Sequence, residues 1–229
     1  MKSSRSSDKE PQRDGWIGIL ALQGGFNAHA IIIERLGLNP VLVRRPADLS
    51  RVSGLILPGG ESSVMLRLLE RADLVAPLCT QIQRGLPTLV TCAGLILCAR
   101  RVRYGPRHER TQRSLGLLDI EVTRNGWGRQ DQSFSASISR VGSSVVAATS
   151  DRSDHRSSGE ALFIRAPRIT RVGAGVEVLG SVRDEPVWVR SGALHGLTGH
   201  PELIDNAQIH DAVFGGLRVE ASRHHTALG

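Results

Sequence analysis

The fold is indicated first by the stretch Thr88-Leu89-Val90-Thr91-Cys92-Ala93-Gly94-Leu95-Ile96-Leu97-Cys98-Ala99. Residues 88–91 have the length and composition of a buried strand, and residues 93–99 read as an apolar helix that begins without a linker. A strand that turns directly into a helix exposes the residue at the turn, here Cys92, and requires small neighbours. The stretch predicts an α/β fold with a candidate nucleophile. On this pattern alone, Cys92 could equally be a small buried core residue.

Strand-length apolar runs alternate with helix-period segments on the N-terminal side of this stretch. This alternation is typical of βαβ units and predicts a central, mostly parallel sheet. The later segments are richer in strands, and a closing helix is expected at 207–214. The predicted strands are 16–22, 41–44, 54–57, 88–91, 117–123, 136–141, 161–164, 176–181, 187–189 and 193–197, and the other predicted helices are 26–36, 62–71, 75–84 and 93–99.

Length and composition favour one globular domain. The chain has 229 residues, of which 40% are hydrophobic and 22% charged. No apolar run approaches the roughly 18 residues that a membrane helix requires, and the polar N-terminus lacks the apolar centre of a secretory signal. We therefore expect a cytoplasmic protein with no membrane association, a domain at 15–218, a disordered tail at 1–14 and a polar tail at 219–229. The three cysteines lack metal-site spacing, so no metal is expected.

Most of the excess positive charge lies in one basic run, residues 100–113, which holds six arginines and one glutamate. The whole chain carries a formal net charge of +7 and a sequence pI of about 10.5. A solvated loop and a surface for an acidic partner are both compatible with the run. The chain has only 4 Phe, 3 Trp and 1 Tyr, which leaves little aromatic surface on which bases could stack. No nucleic acid partner is expected.

A candidate base for the cysteine lies in His200-Pro201-Glu202. Acyl transfer by cysteine uses a nearby imidazole that is oriented by a carboxylate or amide. Residues i and i+2 of an extended segment project from the same face, so Glu202 can reach the His200 ring. His195 also lies near the end of a predicted strand. His200 is preferred because it alone has an adjacent carboxylate, and the remaining histidines lie in helical, loop or tail contexts without such a pairing.

A third candidate segment is Pro58-Gly59-Gly60-Glu61-Ser62, which follows a strand and begins a helix. Backbone N–H groups at such a junction are free to donate to an anion. An ordinary turn followed by a serine helix cap is the alternative. Ligands of open α/β sheets bind at the carboxyl ends of the strands, where Gly59, Cys92 and His200 are all expected.

Together these motifs resemble the glutaminase subunit of pyridoxal 5′-phosphate synthase, a class I glutamine amidotransferase. The resemblance extends from Trp16 to about Phe214. The segments that carry it are Leu20-Ala21-Leu22-Gln23-Gly24, Leu57 to Ser62, Thr91 to Gly94, Arg124-Asn125, Gly128-Arg129-Gln130, Ser133-Phe134, Phe163-Ile164-Arg165-Ala166-Pro167 and His200-Pro201-Glu202-Leu203. The Gly-Arg-Gln and Phe-Ile-Arg-Ala-Pro segments select this family among amidotransferases.

The resemblance implies a three-layer, flavodoxin-like class I amidotransferase fold and a triad of Cys92, His200 and Glu202. It also implies hydrolysis of L-glutamine without a cofactor and transfer of the ammonia to a synthase subunit in a hetero-oligomeric complex. Backbone N–H groups near Gly60 and Ala93 would hold the oxyanion. The residues implied to hold glutamine are Gly60, Glu61, Ser62, Arg124, Ile164 and Arg165. An arginine and a glutamate suit the α-carboxylate and α-ammonium of glutamine, although the residues alone leave open which meets which.

Some positions depart from the family pattern. Val90 stands where glycine is usual, Gly199 stands where an aromatic residue is usual, and Trp127 occupies a position that usually carries phenylalanine. No triad residue is replaced. Two alternatives remain at this point: a glutaminase of another synthase, such as the imidazole glycerol phosphate branch, and a non-catalytic subunit that binds a partner.

Overall fold

The computed structural model describes residues 15–105, 111–141, 157–204 and 206–218. Twelve strands lie in these residues. They are β1 (Trp16–Leu20), β2 (Asn39–Val43), β3 (Gly54–Leu57), β4 (Thr88–Thr91), β5 (Ala99–Arg103), β6 (Leu118–Thr123), β7 (Phe134–Arg140), β8 (Ser157–Phe163), β9 (Arg168–Val172), β10 (Glu177–Val182), β11 (Glu185–Ser191) and β12 (Leu194–Leu197).

Five α-helices and four short 3-10 helices accompany these strands in the described residues. The α-helices are α1 (Phe26–Arg35), α2 (Ser62–Arg71), α3 (Val75–Gln83), α4 (Ala93–Cys98) and α5 (Gln208–Phe214). The 3-10 helices are Pro46–Arg51, Gln130–Gln132, Pro201–Leu203 and Gly215–Leu217. Gly37, at a φ of 72°, follows α1 and lets the chain leave the helix in a left-handed conformation.

The main sheet has nine strands in the order β2-β1-β3-β4-β12-β11-β10-β7-β8. The first five pair in parallel, and the remaining four extend the sheet by antiparallel pairing. Strands β5, β6 and β9 form a separate three-stranded sheet. The α/β class and the parallel central strands predicted from the sequence are confirmed, while the complete sheet is mixed.

Apolar layers cover both faces of the parallel strands, which explains why those strands are continuous apolar runs in the sequence. On one face, Leu57 and Val90 pack with residues of α2, α3, α4 and the small sheet. On the other face, Ile56 and Leu89 pack with Ile33 of α1 and with residues of α5. Successive strand residues point to opposite faces. The helices on both faces complete the predicted three-layer arrangement.

The small sheet corrects one prediction from the sequence. The basic run was expected to be a loop, but its first part is β5, in which Ala99 and Val102 are buried. Arginines between these positions point outward, and Arg103 pairs with Glu121 at 2.7 Å. With only Ala99 and Val102 directed inward, this segment is a strand because it pairs with β6. Residues 106–110 of the run, and the predicted tails 1–14 and 219–229, lie outside the described residues.

Strand β9 was missed, and β8 begins at Ser157, before the start of the predicted strand 161–164. Strand β9 has only one fully inward residue, Ile169, among polar neighbours, so no clear apolar period marks it. Its position comes from antiparallel pairing with β6. In the part of the chain that the structure describes, no helix combines the length and apolarity needed to cross a membrane.

Val90 is fully buried in the central strand β4, between β3 and β12. Because Val90→Gly removes a buried side chain and adds backbone freedom, we expect the free energy of unfolding to fall by about 2 to 4 kcal/mol. Urea denaturation of both proteins measures the change. Val90→Ala, which keeps a side-chain carbon, should lie between them. A loss below about 1 kcal/mol for Val90→Gly would mean that the core closes around the missing side chain.

Candidate active site

Cys92 lies at the turn between β4 and α4 in a strained backbone conformation, with φ 45° and ψ −100°. Its N–H donates to the Leu197 carbonyl at 2.9 Å, which ties the turn to the neighbouring strand β12. A Cβ on Gly94 would lie 2.2 Å from the Leu57 carbonyl oxygen, so this position requires glycine. The neighbouring strands therefore hold the turn in a geometry that a free peptide would avoid, as at other functional sites.

His200 follows β12 and is fixed by a backbone bridge to β8. Its N–H donates to the Leu162 carbonyl at 2.8 Å, and its carbonyl accepts from the Leu162 N–H at 3.2 Å. Gly59 lies directly against the imidazole, because a Cβ built there would be 2.2 Å from His200 Cε1. The absence of a side chain at Gly59 thus leaves the space that the His200 ring occupies.

Cys92, His200 and Glu202 come together in space. Nδ1 of His200 lies 2.7 Å from Oε1 of Glu202, whose side chain is only 1% exposed, and His200 and Cys92 line the same cavity. Burial opposes protonation of His200, but its contacts with Cys92 and Glu202 outweigh burial and raise its pKa to about 10. Burial disfavours the Glu202 carboxylate, yet His29 and His200 lower its pKa to about 2. The surroundings of His200 therefore favour a protonated imidazole held by the Glu202 carboxylate.

Glu61 and Arg124 form an ion pair at the edge of the same site, with Nη2 of Arg124 2.6 Å from Oε1 of Glu61. Burial acts to raise the pKa of Glu61, but Arg124 lowers it overall. Arg124 also donates to Gln112 at 2.9 Å and lies over the Tyr104 ring, 5.1 Å from its centroid. A positive and a negative group thus lie side by side, as a zwitterionic amino acid requires.

These groups surround a cavity of about 370 Å³, at the lower end of the range for small-molecule sites. Every residue implied to hold glutamine lines it, whereas Glu202 and Ala93 lie buried outside the lining. The lining residues are Gln23, Gly60, Glu61, Ser62, Cys92, Ile96, Arg124, Asn125, Gln130, Ile164, Arg165 and His200. Three of them, Cys92, Asn125 and Arg165, adopt positive φ without being glycine.

The glycine-rich loop after β3 packs tightly against the loop after β1. The Gly25 N–H donates to the Gly59 carbonyl at 3.0 Å, and the Glu61 N–H donates to Oε1 of Gln23 at 3.0 Å. A Cβ on Gly60 would lie 2.6 Å from that Gln23 oxygen. Any rotation of the Gly59–Gly60 peptide would break the bond to Gly25, so the loop is anchored in its present conformation.

Several residues of the site were missed at the sequence level. Gln112 joins Ser62 to Arg124, and Tyr104 supports the guanidinium, yet neither belongs to a recognisable pattern. Gln23 was part of a quoted motif without an assigned role. The interpretation of His29 as a helical residue without a pairing was wrong, because its Nε2 lies 3.5 Å from Oε2 of Glu202.

Two departures from the family pattern have a structural explanation. A Cβ on Gly199 would lie 3.0 Å from the Ala161 Cβ and 3.3 Å from the Phe163 ring, so β8 occupies the space that a larger residue would need. Trp127 packs on Phe134 and Phe163, with ring centroids 5.8 and 5.7 Å apart. These aromatic residues support the wall that carries Ile164 and Arg165.

The sequence matches the family model described as the SNO glutamine amidotransferase family over residues 19–215. The chain belongs to the SNO glutamine amidotransferase family. This amidotransferase is 41% identical to the pyridoxal 5′-phosphate synthase subunit PdxT of Kosmotoga olearia, with 85% of this chain and 94% of the relative covered. It is 40% identical to the subunit of the same name from Thermotoga maritima, with 85% and 95% covered. The resemblance inferred from the motifs is confirmed.

Solved structures agree with the fold of this amidotransferase. One crystal structure of a glutamine amidotransferase superposes with a TM-score of 0.74 at 34% identity, covering 88% of this chain and 97% of the other. The structure of PurLQS from Thermotoga maritima superposes with a TM-score of 0.54 at 14% identity, covering 90% and 100%. The second likeness concerns the fold alone. Class I amidotransferase architecture, as predicted, is therefore confirmed.

Proposed function

We propose that this chain is the glutaminase subunit of a pyridoxal 5′-phosphate synthase, with Cys92 as nucleophile, His200 as acid and base, and Glu202 as the group that orients His200. The observation that carries the proposal is that Cys92 and His200 line one cavity beside the Glu61–Arg124 pair, while Glu202 lies buried 2.7 Å from the His200 ring. The names of the PdxT relatives support the assignment to this synthase.

In the proposed reaction, the Cys92 thiolate attacks the carboxamide carbon of glutamine and forms a C–S bond. Backbone N–H groups near Gly60 and Ala93 stabilise the oxyanion, and each such donor typically lowers the barrier by about 3 to 4 kcal/mol. His200 gives its proton to the departing nitrogen, the C–N bond breaks and ammonia leaves. Water then attacks the glutamyl thioester while His200 accepts its proton, which releases glutamate and restores the thiolate.

The cavity also supports the choice of substrate. Arg124 and Glu61 already neutralise each other at 2.6 Å, so a bound zwitterion can interact with both without leaving a net charge buried. Gln112 bridges Arg124 and Ser62 and keeps the pair in place. Ile164 and Arg165 form part of the same cavity lining. A separate synthase subunit is the proposed recipient of the ammonia.

The test is the rate of glutamate formation from L-glutamine by the chain alone and in the presence of excess synthase subunit. We expect slow hydrolysis by the free chain and at least about tenfold stimulation by the partner. The Gly25 N–H holds the Gly59–Gly60 peptide in place, so any rotation that turns an N–H of this loop toward the oxyanion would need binding energy from the partner. L-Asparagine, one methylene shorter, is the control substrate. Absence of glutamate with and without the synthase would reject the proposed function and favour the non-catalytic alternative.

A further inference from the structure

A buried row of polar side chains continues behind Glu202, away from the cavity. His29 of α1 and His210 of α5 are both fully buried. Nε2 of His29 lies 3.5 Å from Oε2 of Glu202 and 3.3 Å from Oγ1 of Thr91. Nδ1 of His29 lies 2.8 Å from Nε2 of His210. The proposed mechanism uses neither of these two histidines.

The two oxygens of Glu202 have different surroundings. Oε1 lies 2.7 Å from the His200 ring, while Oε2 is buried and accepts no hydrogen bond from the described residues. Within the described residues, Nε2 of His29 lies 3.5 Å from Oε2. A buried carboxylate oxygen is unfavourable without a nearby donor. His29 therefore supplies the positive end of an N–H dipole where Glu202 needs it.

The carboxylate also determines which nitrogen of His29 carries the hydrogen. A lone pair on Nε2 would face a negative oxygen, so the hydrogen belongs on Nε2 and the lone pair on Nδ1. The Nε2–H of His210 can then donate to that lone pair. Burial lowers the pKa of both rings, that of His210 to about 3, and outweighs the opposing attraction of Glu202. Both rings are accordingly neutral, and with these tautomers the Nε2–H of His210 faces His29 while the Nε2–H of His29 lies between Oγ1 of Thr91 and Oε2 of Glu202.

We propose that His29 is a positioning residue that holds Glu202 in the orientation needed to support His200, and that His210 fixes the His29 tautomer. The inference rests on the proposed function, because it assigns a role to a partner of the triad. The Oε2 contact restrains rotation of the carboxylate about its last bond. With that contact, Oε1 stays in line with Nδ1 of His200, and the imidazolium formed during the reaction is stabilised.

Loss of the His29 contact should also change how activity depends on pH. The titratable groups that face Glu202 within the described residues are His200 on its own segment and His29 on α1, with His210 on α5 behind His29 and Cys92 beyond His200. Loosening Glu202 weakens its support of the His200 imidazolium. The pKa of His200, which Glu202 helps to raise, then falls, so activity is lost at a lower pH on the alkaline side.

The test compares His29→Leu, which removes the donor, with His29→Gln, whose amide N–H can replace the Nε2–H. For His29→Leu we expect kcat to fall about 10- to 100-fold, by analogy with the outer residues that orient the ligands of metal sites. The KM for glutamine should change by less than about threefold, because His29 does not line the cavity. The alkaline limb of the kcat/KM profile should lie at a pH about 1 lower. His29→Gln should retain kcat within about fivefold of the native chain.

His195→Leu is the control, since it removes another histidine, which is partly buried and packs on Trp188 rather than on Glu202. Rates are normalised to the folded fraction, measured by circular dichroism, and Cys92→Ala is assayed in parallel. Native activity that survives Cys92→Ala would reject the proposed function itself. If activity requires Cys92 but His29→Leu keeps its kcat and alkaline limb, His29 is not a positioning residue. Equal loss in His29→Leu and His29→Gln would overturn the proposed role of the N–H donor.

Discussion

Replacement of Cys92 by alanine is expected to lower glutamine hydrolysis by at least about 10⁴-fold, measured as glutamate formed in the presence of the synthase subunit. The change removes the sulfur that would form the thioester and leaves water as the only nucleophile. Alanine retains the β-carbon of this nearly buried side chain. The fold should therefore persist, with a change in the free energy of unfolding of about 1 kcal/mol.

The other two cysteines provide matched controls. Cys79 lies half-buried in α3, and burial raises its thiol pKa. Cys98 is completely buried in α4, and burial raises its thiol pKa strongly. Both are poor nucleophiles for this reason, so Cys79→Ala and Cys98→Ala should keep most of the native turnover. Hydrolysis by Cys92→Ala at close to the native rate would exclude Cys92 as the nucleophile, whereas a small residual rate can come from substrate binding and the oxyanion donors alone.

Replacement of Arg124 by leucine should lower kcat/KM for glutamine by about 10²- to 10³-fold, mainly through a higher KM. The Arg124 side chain is 13% exposed and pairs with Glu61. The substitution therefore removes a positively charged partner of the substrate and leaves the Glu61 carboxylate without its ion-pair partner. Truncation of one member of such a pair typically costs about 2 to 5 kcal/mol. Initial rates over a range of glutamine concentrations separate the effects on KM and kcat.

Arg171→Leu tests whether loss of any arginine has the same effect. Arg171 pairs with Asp119 at 3.1 Å on the small sheet and does not line the cavity. Arg171→Leu should leave kcat and the KM for glutamine within about twofold of the native values, since exposed ion pairs contribute little. A native KM in Arg124→Leu would show that the α-carboxylate and α-ammonium of glutamine bind elsewhere in the cavity.

The elements near the cavity were predictable because short-range patterns specify them. The predicted bounds of β3, β4 and α2 agree with the bounds in the structure. The positions of Pro58-Gly59-Gly60, Cys92 and His200 after predicted strands likewise indicated that three motifs lie at one sheet edge. Strands β5 and β9 escaped prediction, because their few inward residues, such as Val102 and Ile169, acquire meaning only beside β6.

Packing also revised the meaning of individual residues. Gly60 is conformationally permissive by residue type, but an added Cβ would meet Oε1 of Gln23 at 2.6 Å, so Gly60→Ala would disturb the loop itself. Val90, which stands where the family pattern has glycine, is a fully buried residue of the core. Such contacts depend on the approach of other segments, about which the local sequence carries no information.

The sequence by itself determined the family, the α/β class and the residues that can act as nucleophile, base and orienting carboxylate, because each rests on residue type and on spacing within a few positions. Tertiary structure alone decided how these groups are supported. Gln112 and Ser62 form a hydrogen bond although they are 50 positions apart in the sequence, and His210 and His29 do so across 181 positions. Such pairs arise from the order of strands in the sheet and from helices packing on its faces. Burial then gives them their effect, since only away from water do a few N–H groups fix the orientation of a carboxylate.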